Sequence, residues 1–234
     1  MRILVFETSS KAAGVAILED GKLLGEYMQN SGQTHSRTLM KMAEDLLRNC
    51  DLQAKEIDAV ACAAGPGSFT GVRIGVAAAK GFAWGLQLPC YGVSTLEAMA
   101  RNVAVGDGIY CPAMDARRNQ VYTALFRMEN GVFSRLTEDL AISLDELGAL
   151  MKKHENVKML VGDGAALCYN ELRKFVPGLV LLPEHLRMQR AAGVALLAWD
   201  QMQAGVRPTG GELVPNYLRL SQAERERLNK EKME

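Results

Sequence analysis

One pattern, present twice, constrains this chain most. A short apolar strand, Ile3–Phe6, ends in the acid Glu7, and an Asp20-Gly21 turn then separates Gly14–Leu18 from Lys22–Tyr27. Further along, Ile109–Met114 ends in Asp115, and an Asn130-Gly131 turn separates Val121–Arg127 from Val132–Leu136. Asp-Gly and Asn-Gly supply the two positive φ angles of a primed two-residue turn, whose twist matches that of paired strands. The turn glycines lie 110 residues apart.

The segments beyond the two turns repeat as well. In the first half a helix over Thr34–Cys50 carries Leu39, Met42, Ala43, Leu46, Leu47 and Cys50 on one stripe. Strand Ile57–Cys62, helix Thr70–Leu86, strand Cys90–Val93 and helix Thr95–Val103 complete that half. The second half runs through helix Leu144–Lys152, strand Val157–Val161, helix Ala165–Phe175, strand Leu179–Leu182 and helix Ala191–Ala204. Both halves read βββαβαβα, an α/β unit duplicated in tandem rather than a short-period solenoid. Tight turns followed by βα crossovers predict mixed sheets flanked by helices, with right-handed parallel connections. Two such lobes facing each other form the architecture of the actin-like ATPases and sugar kinases, of ribonuclease H-like type. The expected division is a first lobe over 1–106, a second over 107–206, and a linker with a charged tail over 207–234. Pro208-Thr209-Gly210-Gly211 reads as the linker, and the stretch from Arg219 onward as a solvated helix or frayed end.

Composition limits the partners. Across 234 residues, 27 Lys and Arg balance 27 Asp and Glu, so a broad basic footprint for nucleic acid is excluded and any such contact is local. Five scattered cysteines, none in a CxxC spacing, fit neither a disulfide framework nor a zinc knuckle. His35, His154 and His185 are too far apart in sequence to suggest a metal motif. The start, MRILVFETSS, is too short for a signal-peptide core, and no run approaches the ~18 apolar residues of a membrane span. A soluble, cytoplasmic protein without membrane contact is expected.

The stretch Gly65-Pro66-Gly67-Ser68-Phe69-Thr70-Gly71-Val72-Arg73-Ile74-Gly75 joins a buried strand to a helix. Such glycines let backbone N–H groups face an anion, yet no Gly-Lys-Ser/Thr of a Walker loop comes after them. A tight turn with Ser68 or Thr70 as N-cap wants the same glycines. On the next helix, Gly71, Gly75, Ala78, Phe82 and Gly85 share a small-residue face suited to the sheet. Val76, Ala77, Ala83 and Trp84 lie opposite, with Arg73 and Lys80 the helix's only charges. A helix apolar nearly all round is covered on both sides. Together with His35, Leu39 and Met42 of the preceding helix, these residues outline a partner-docking surface, an internal domain contact being the alternative. Glu7-Thr8-Ser9 and Asp115 occupy equivalent strand ends, where an acid over a cleft suits hard-metal chemistry. The turn glycines expected beside Glu7 are missing, which favours a structural carboxylate. There is no HExxH and no nucleophile elbow.

GPGSFTGVRIG, Gly92-Val93-Ser94-Thr95-Leu96, MDARRNQVY (Met114–Tyr122) and PNYLR (Pro215–Arg219) closely resemble the TsaB (YeaZ) family, collinearly from Met1 to about Glu224. The resemblance implies a component of the machinery that installs threonylcarbamoyl on the adenosine beside a tRNA anticodon. It implies a non-catalytic scaffold that dimerises through its first two helices. Its partner would be the metal-bearing sister TsaD, with the ATPase TsaE joining them and tRNA reached through the complex. The sister's Gly-Val-Asn-His-Leu-Glu-Gly-His segment matches Gly92–Met99 here, so Thr95 and Met99 stand where two histidine ligands would be. Neither replaces imidazole at a metal centre. Glu7, Thr8, Ser9, Gly65, Gly67, Ser68 and Asp115 would then mark a degenerate nucleotide site. No cofactor of its own and no metal are expected, with ATP or ADP bound, if anywhere, at the complex interface. A homodimer in isolation is a further expectation. The alternatives are an Mg-ATP-dependent ATPase or kinase using Glu7, Asp115 and the Gly65–Gly75 loop, and a glycopeptidase.

Overall fold

The computed structural model describes residues 1–154 and 157–219, so the tail from residue 220 onward lies outside the described residues. The first sheet contains β1 (Arg2–Glu7), β2 (Ala13–Glu19), β3 (Lys22–Gln29), β4 (Ala59–Gly65) and β5 (Cys90–Ser94), in the order β3-β2-β1-β4-β5. Only β2 runs against its neighbours; β1, β4 and β5 are mutually parallel. β1 is buried on both faces, and strand alternation splits it. Leu4 and Phe6 enter a core with α1 (His35–Asn49) and α2 (Phe69–Leu86), whereas Ile3 and Val5 enter one with α7 (Ala191–Gln203). The Asp20-Gly21 turn forms as expected, both residues at positive φ.

The second sheet repeats that order. It is built from β6 (Gly108–Asp115), β7 (Gln120–Thr123), β8 (Phe126–Glu129), β9 (Val132–Arg135), β10 (Leu140–Ser143), β11 (Lys158–Val161) and β12 (Leu179–Leu181). The path β10-β7-β6-β11-β12 places β7 antiparallel to β6, with β11 and β12 parallel to it. The run expected over Val121–Arg127 is split. β7 and β8 keep one register along β6, pairing with its two ends, and the gap between them faces Cys111-Pro112. Pro112 has no N–H for the ladder, which is the physical reason for the break. The Asn130-Gly131 turn then joins β8 to β9. Beyond it the chain resumes as β10, a strand that sequence periodicity missed because residues 136–139 interrupt the alternation.

α4 (Leu144–Met151) and α5 (Ala165–Leu172) cover one face of this sheet, and α3 (Thr95–Val103) covers the other. α7, last in chain order and counted with the second half, packs instead on β1 and β2 of the first sheet. It also packs on α3, so two helices fill the space between the sheets. Gly193 permits that crossing, since a Cβ there would overlap the Ala98 carbonyl oxygen. The molecule is a two-lobed α/β protein of the actin-like, ribonuclease H-like type. Among the described residues no helix is long and apolar enough to cross a membrane.

Candidate functional site

The strand-to-helix segment Gly65–Gly75 is shaped by what lies on it. Thr8 and Ser9, just beyond β1, rest directly against α2. A Cβ on Gly67 would overlap the Ser9 carbonyl oxygen, one on Gly71 the Thr8 carbonyl oxygen, and one on Gly75 would sit 2.5 Å from Thr8 Oγ1. Ser68 N–H donates to Ser9 O at 2.7 Å, and the Thr8 hydroxyl donates to Gly71 O at 2.7 Å. Ser68 is the N-cap of α2, its Oγ accepting from Gly71 N–H at 3.2 Å. Gly65, at φ +113°, lies under the returning C-terminal segment, and a Cβ there would overlap the Asn216 carbonyl oxygen. The chain's own backbone thus fills the cradle these glycines form. With the Thr8 and Ser9 carbonyl oxygens in that place, the residues at this point do not fit a bound phosphate.

Glu7 is almost wholly buried, accepting from Ser9 N–H at 2.6 Å. Burial pushes its carboxyl up to about 7, against the opposing effect of the Ser9 hydrogen bonds. Asp115, its counterpart at the end of β6, is exposed and accepts from Arg117 N–H at 2.7 Å. Asp163, on the turn between β11 and α5, is held above the ordinary carboxylate range by burial. Gln189 links it to the first lobe, donating to Asp163 Oδ1 at 3.5 Å and accepting from Ser10 Oγ at 2.7 Å. Between the lobes lies a cleft of about 600 Å³, lined by Ser9, Lys11, Ser68, Asp115, Arg117 and Asp163 among others. Thr95 and Met99 lie buried on α3. Among the described residues no group of three His, Cys, Asp or Glu side chains is placed to hold a metal ion.

The structure corrects the faces expected for α2. Its buried residues are Gly71, Val72, Gly75, Val76, Ala79 and Ala83, so Val76 and Ala83, expected outside, are core residues, as is Leu39 of α1. The outward face carries Arg73, Ala77, Gly81, Trp84 and Gly85, with Trp84 87% exposed. The error has a physical source: where nearly every residue is apolar or glycine, periodicity does not say which arc meets the sheet. Met42 and His35 are half-buried, and His35 Nε2 is 2.8 Å from Ser10 O. Met40, which no sequence signal singles out, is exposed on α1.

Arg73 and Lys80 serve the chain itself. Lys80 Nζ donates to Leu213 O at 3.1 Å, and Arg73 Nε donates to Tyr217 Oη at 2.7 Å. Tyr217 stacks on Phe69 with centroids 4.7 Å apart, and the Arg73 guanidinium lies 3.9 Å from the Phe69 ring centre. Arg219 then reaches the second lobe, donating to Ala116 O at 2.7 Å. The PNYLR motif is therefore a strap across the cleft. The motif was legible in sequence, but its role was not, because its contacts lie some 100 to 145 positions away.

Comparison with known proteins accords with this geometry. Residues 23–226 match the family model of TsaD, tRNA N6-adenosine threonylcarbamoyltransferase. The chain is 34% identical to the tRNA threonylcarbamoyladenosine biosynthesis protein TsaB of Bacillus subtilis, over 96% of each chain. It is 32% identical to TsaB of Escherichia coli, over 94% of this chain and 95% of that one. Among solved structures, YeaZ from Pseudomonas aeruginosa superposes with a TM-score of 0.80 at 27% identity, covering 93% of this chain and 99% of its own. A relative of this identity along nearly the whole length, with the same two-lobed fold, makes the chain a member of the TsaB (YeaZ) family.

Proposed function

We propose that this protein acts in tRNA threonylcarbamoyladenosine synthesis as a non-catalytic scaffold that docks the transferase TsaD through the outward faces of α1 and α2. The observation that carries the reading is Trp84, 87% exposed on a helix face where Ala77, Gly81 and Gly85 surround it and Arg73 is the one charge. A large indole left in water beside bare backbone is what a partner helix covers. Catalytic degeneracy is supported by the cradle filled by Thr8 and Ser9, and by Thr95 and Met99 at the positions of two metal-binding histidines in the sister protein. Binding of TsaE to the assembled pair, a nucleotide at the joint interface, and a homodimer through the same face when TsaD is absent belong to this reading. The tRNA would be held chiefly by the other subunits.

Size-exclusion chromatography with light scattering tests it. The wild-type chain co-elutes with TsaD, and Trp84→Asp abolishes co-elution while its melting temperature stays within about 2 °C of wild type, as expected for an exposed site. Val76→Asp, which buries a charge in the core, lowers stability severely and serves as the contrast. Co-elution of Trp84→Asp at wild-type affinity would sink the proposed face. ATP or peptide hydrolysis by the isolated chain, lost in Glu7→Ala, would return the enzyme readings.

A further inference from the structure

Four cations from three separate stretches meet at the mouth of the interlobe cleft. Lys11 comes from the turn after β1, Arg117 and Arg118 from the turn after β6, and Arg219 from the strap. Lys11, Arg117 and Arg219 line the cleft, and Arg118 is exposed beside Arg117. Among the described residues none of the four forms an ion pair, whereas Arg2, Lys41, Arg135 and Arg190 each hold a carboxylate. Arg117, Arg118 and Asn119 sit in succession at φ 62°, 56° and 56°. Side-chain-bearing residues keep that left-handed geometry only where the surroundings impose it, and such outliers gather at functional sites.

Asp163 lies half-buried in the cleft and repels a phosphate from its interior, so an anion is held at the exposed cations of the mouth, where Asp115 also stands. Beside the cations stands Tyr217, 39% exposed and backed by Phe69 and Arg73. Cations interleaved with a rigid aromatic ring suit single-stranded or looped RNA, where phosphates pair with Arg and Lys and an unstacked base lies on the ring.

We infer that the cleft mouth holds the phosphodiester backbone of an RNA, with Tyr217 stacking an unpaired base. The inference rests on reading the chain as a subunit of a tRNA-modifying assembly and gives it a direct, local RNA contact. The test is the affinity of the assembled complex for unmodified tRNA, measured between about 50 and 200 mM salt, a range over which counterion release is readily resolved. Arg117→Glu with Arg118→Glu lowers affinity by about tenfold or more and flattens the log–log salt dependence by about 1.5, as expected for two lost phosphate contacts. Tyr217→Ala weakens binding at all salt concentrations with the slope kept, and Tyr217→Phe restores it. Lys22→Glu, the same charge change at the far end of the first sheet, leaves both unchanged. Wild-type affinity and slope in the arginine double variant would overturn the inference. So would loss of Mg-ATP binding in that variant with tRNA binding intact, which would assign the cations to a free nucleotide. Failure of the wild-type chain to join TsaD would overturn the scaffold reading instead, and the same comparison on the isolated chain would still decide the RNA contact.

Discussion

The ends of β1 and β6 are the same place in two copies of one unit, and they have opposite characters. After β1 the chain turns inward: Glu7, Thr8, Ser9 and Ser10 are all buried, and glycines on α2 admit their backbone. After β6 it turns outward: Asp115, Arg117, Arg118 and Asn119 are exposed. In both lobes the helix after the neighbouring parallel strand nevertheless starts against backbone near the end of the first strand. Ser68 N–H donates to Ser9 O in the first, and Gly164 N–H donates to Ala113 O at 2.9 Å in the second. A Cβ on Gly164 would come within 2.8 Å of Asp115 N. The strand-to-helix junction is thus a shared packing device, and the residues just beyond the strand end decide whether a lobe closes on itself or faces a ligand.

Substitutions can break this comparison at three strengths. The largest effect belongs to the shared junction. Gly71→Ala forces apart the backbones of α2 and Thr8 and lowers stability by about 3 kcal/mol, whereas Gly164→Ala, with more room, costs about 1–2 kcal/mol. Urea denaturation of both variants checks the order, and equal small losses would show that the first junction is no tighter than the second.

The next effect concerns the buried acid of the first lobe. The Glu7 carboxyl titrates near 7 in the folded protein, against its ordinary 4.5. A raised acid is held protonated by the fold, so it has no effect below the unfolded value and destabilises progressively as pH climbs from about 4.5 to about 7. Glu7→Gln therefore gains on wild type as pH rises from about 5 to 8, by about 3 kcal/mol at most. Melting curves of Glu7→Gln and wild type at the two pH values decide the point, and a flat difference would mean a solvated carboxylate. The smallest effect concerns the left-handed turn of the second lobe. Arg118→Gly relieves one side chain at φ 56° and raises stability by about 0.5–1 kcal/mol, readable as a small rise in melting temperature. A fall would show that the Arg118 side chain, rather than its surroundings, holds the turn.

Much of this fold was legible because its signals are local. The stripe Leu39, Met42, Ala43, Leu46, Leu47 and Cys50 repeats at helical spacing, and helix α1 buries Leu39, Ala43, Leu46 and Leu47 as that spacing requires. Asp20-Gly21 and Asn130-Gly131 specify their turns through φ angles that few other dipeptides adopt. Helix α3 spans Thr95–Val103, the bounds expected of it, and the structure adds Ser94 as its N-cap. The illegible parts are those in which a distant residue sets the outcome. The split of β7 from β8 reflects Pro112 on a different strand, and the orientation of α2 reflects the carbonyls of Thr8 and Ser9.

The duplicated α/β unit, its hairpins and the family are written in the sequence alone, because periodicity, turn chemistry and short motifs act within a few residues of where they stand. Three outcomes required the packed molecule: α7 crosses back to the first sheet, Trp84 rather than Val76 faces outward, and Lys11, Arg117 and Arg219 share one cleft. They depend on burial and on residues brought together from up to 208 positions apart, from Lys11 to Arg219. Such juxtapositions arise from the joint packing of two sheets and the helices between them, which no local run of side chains encodes.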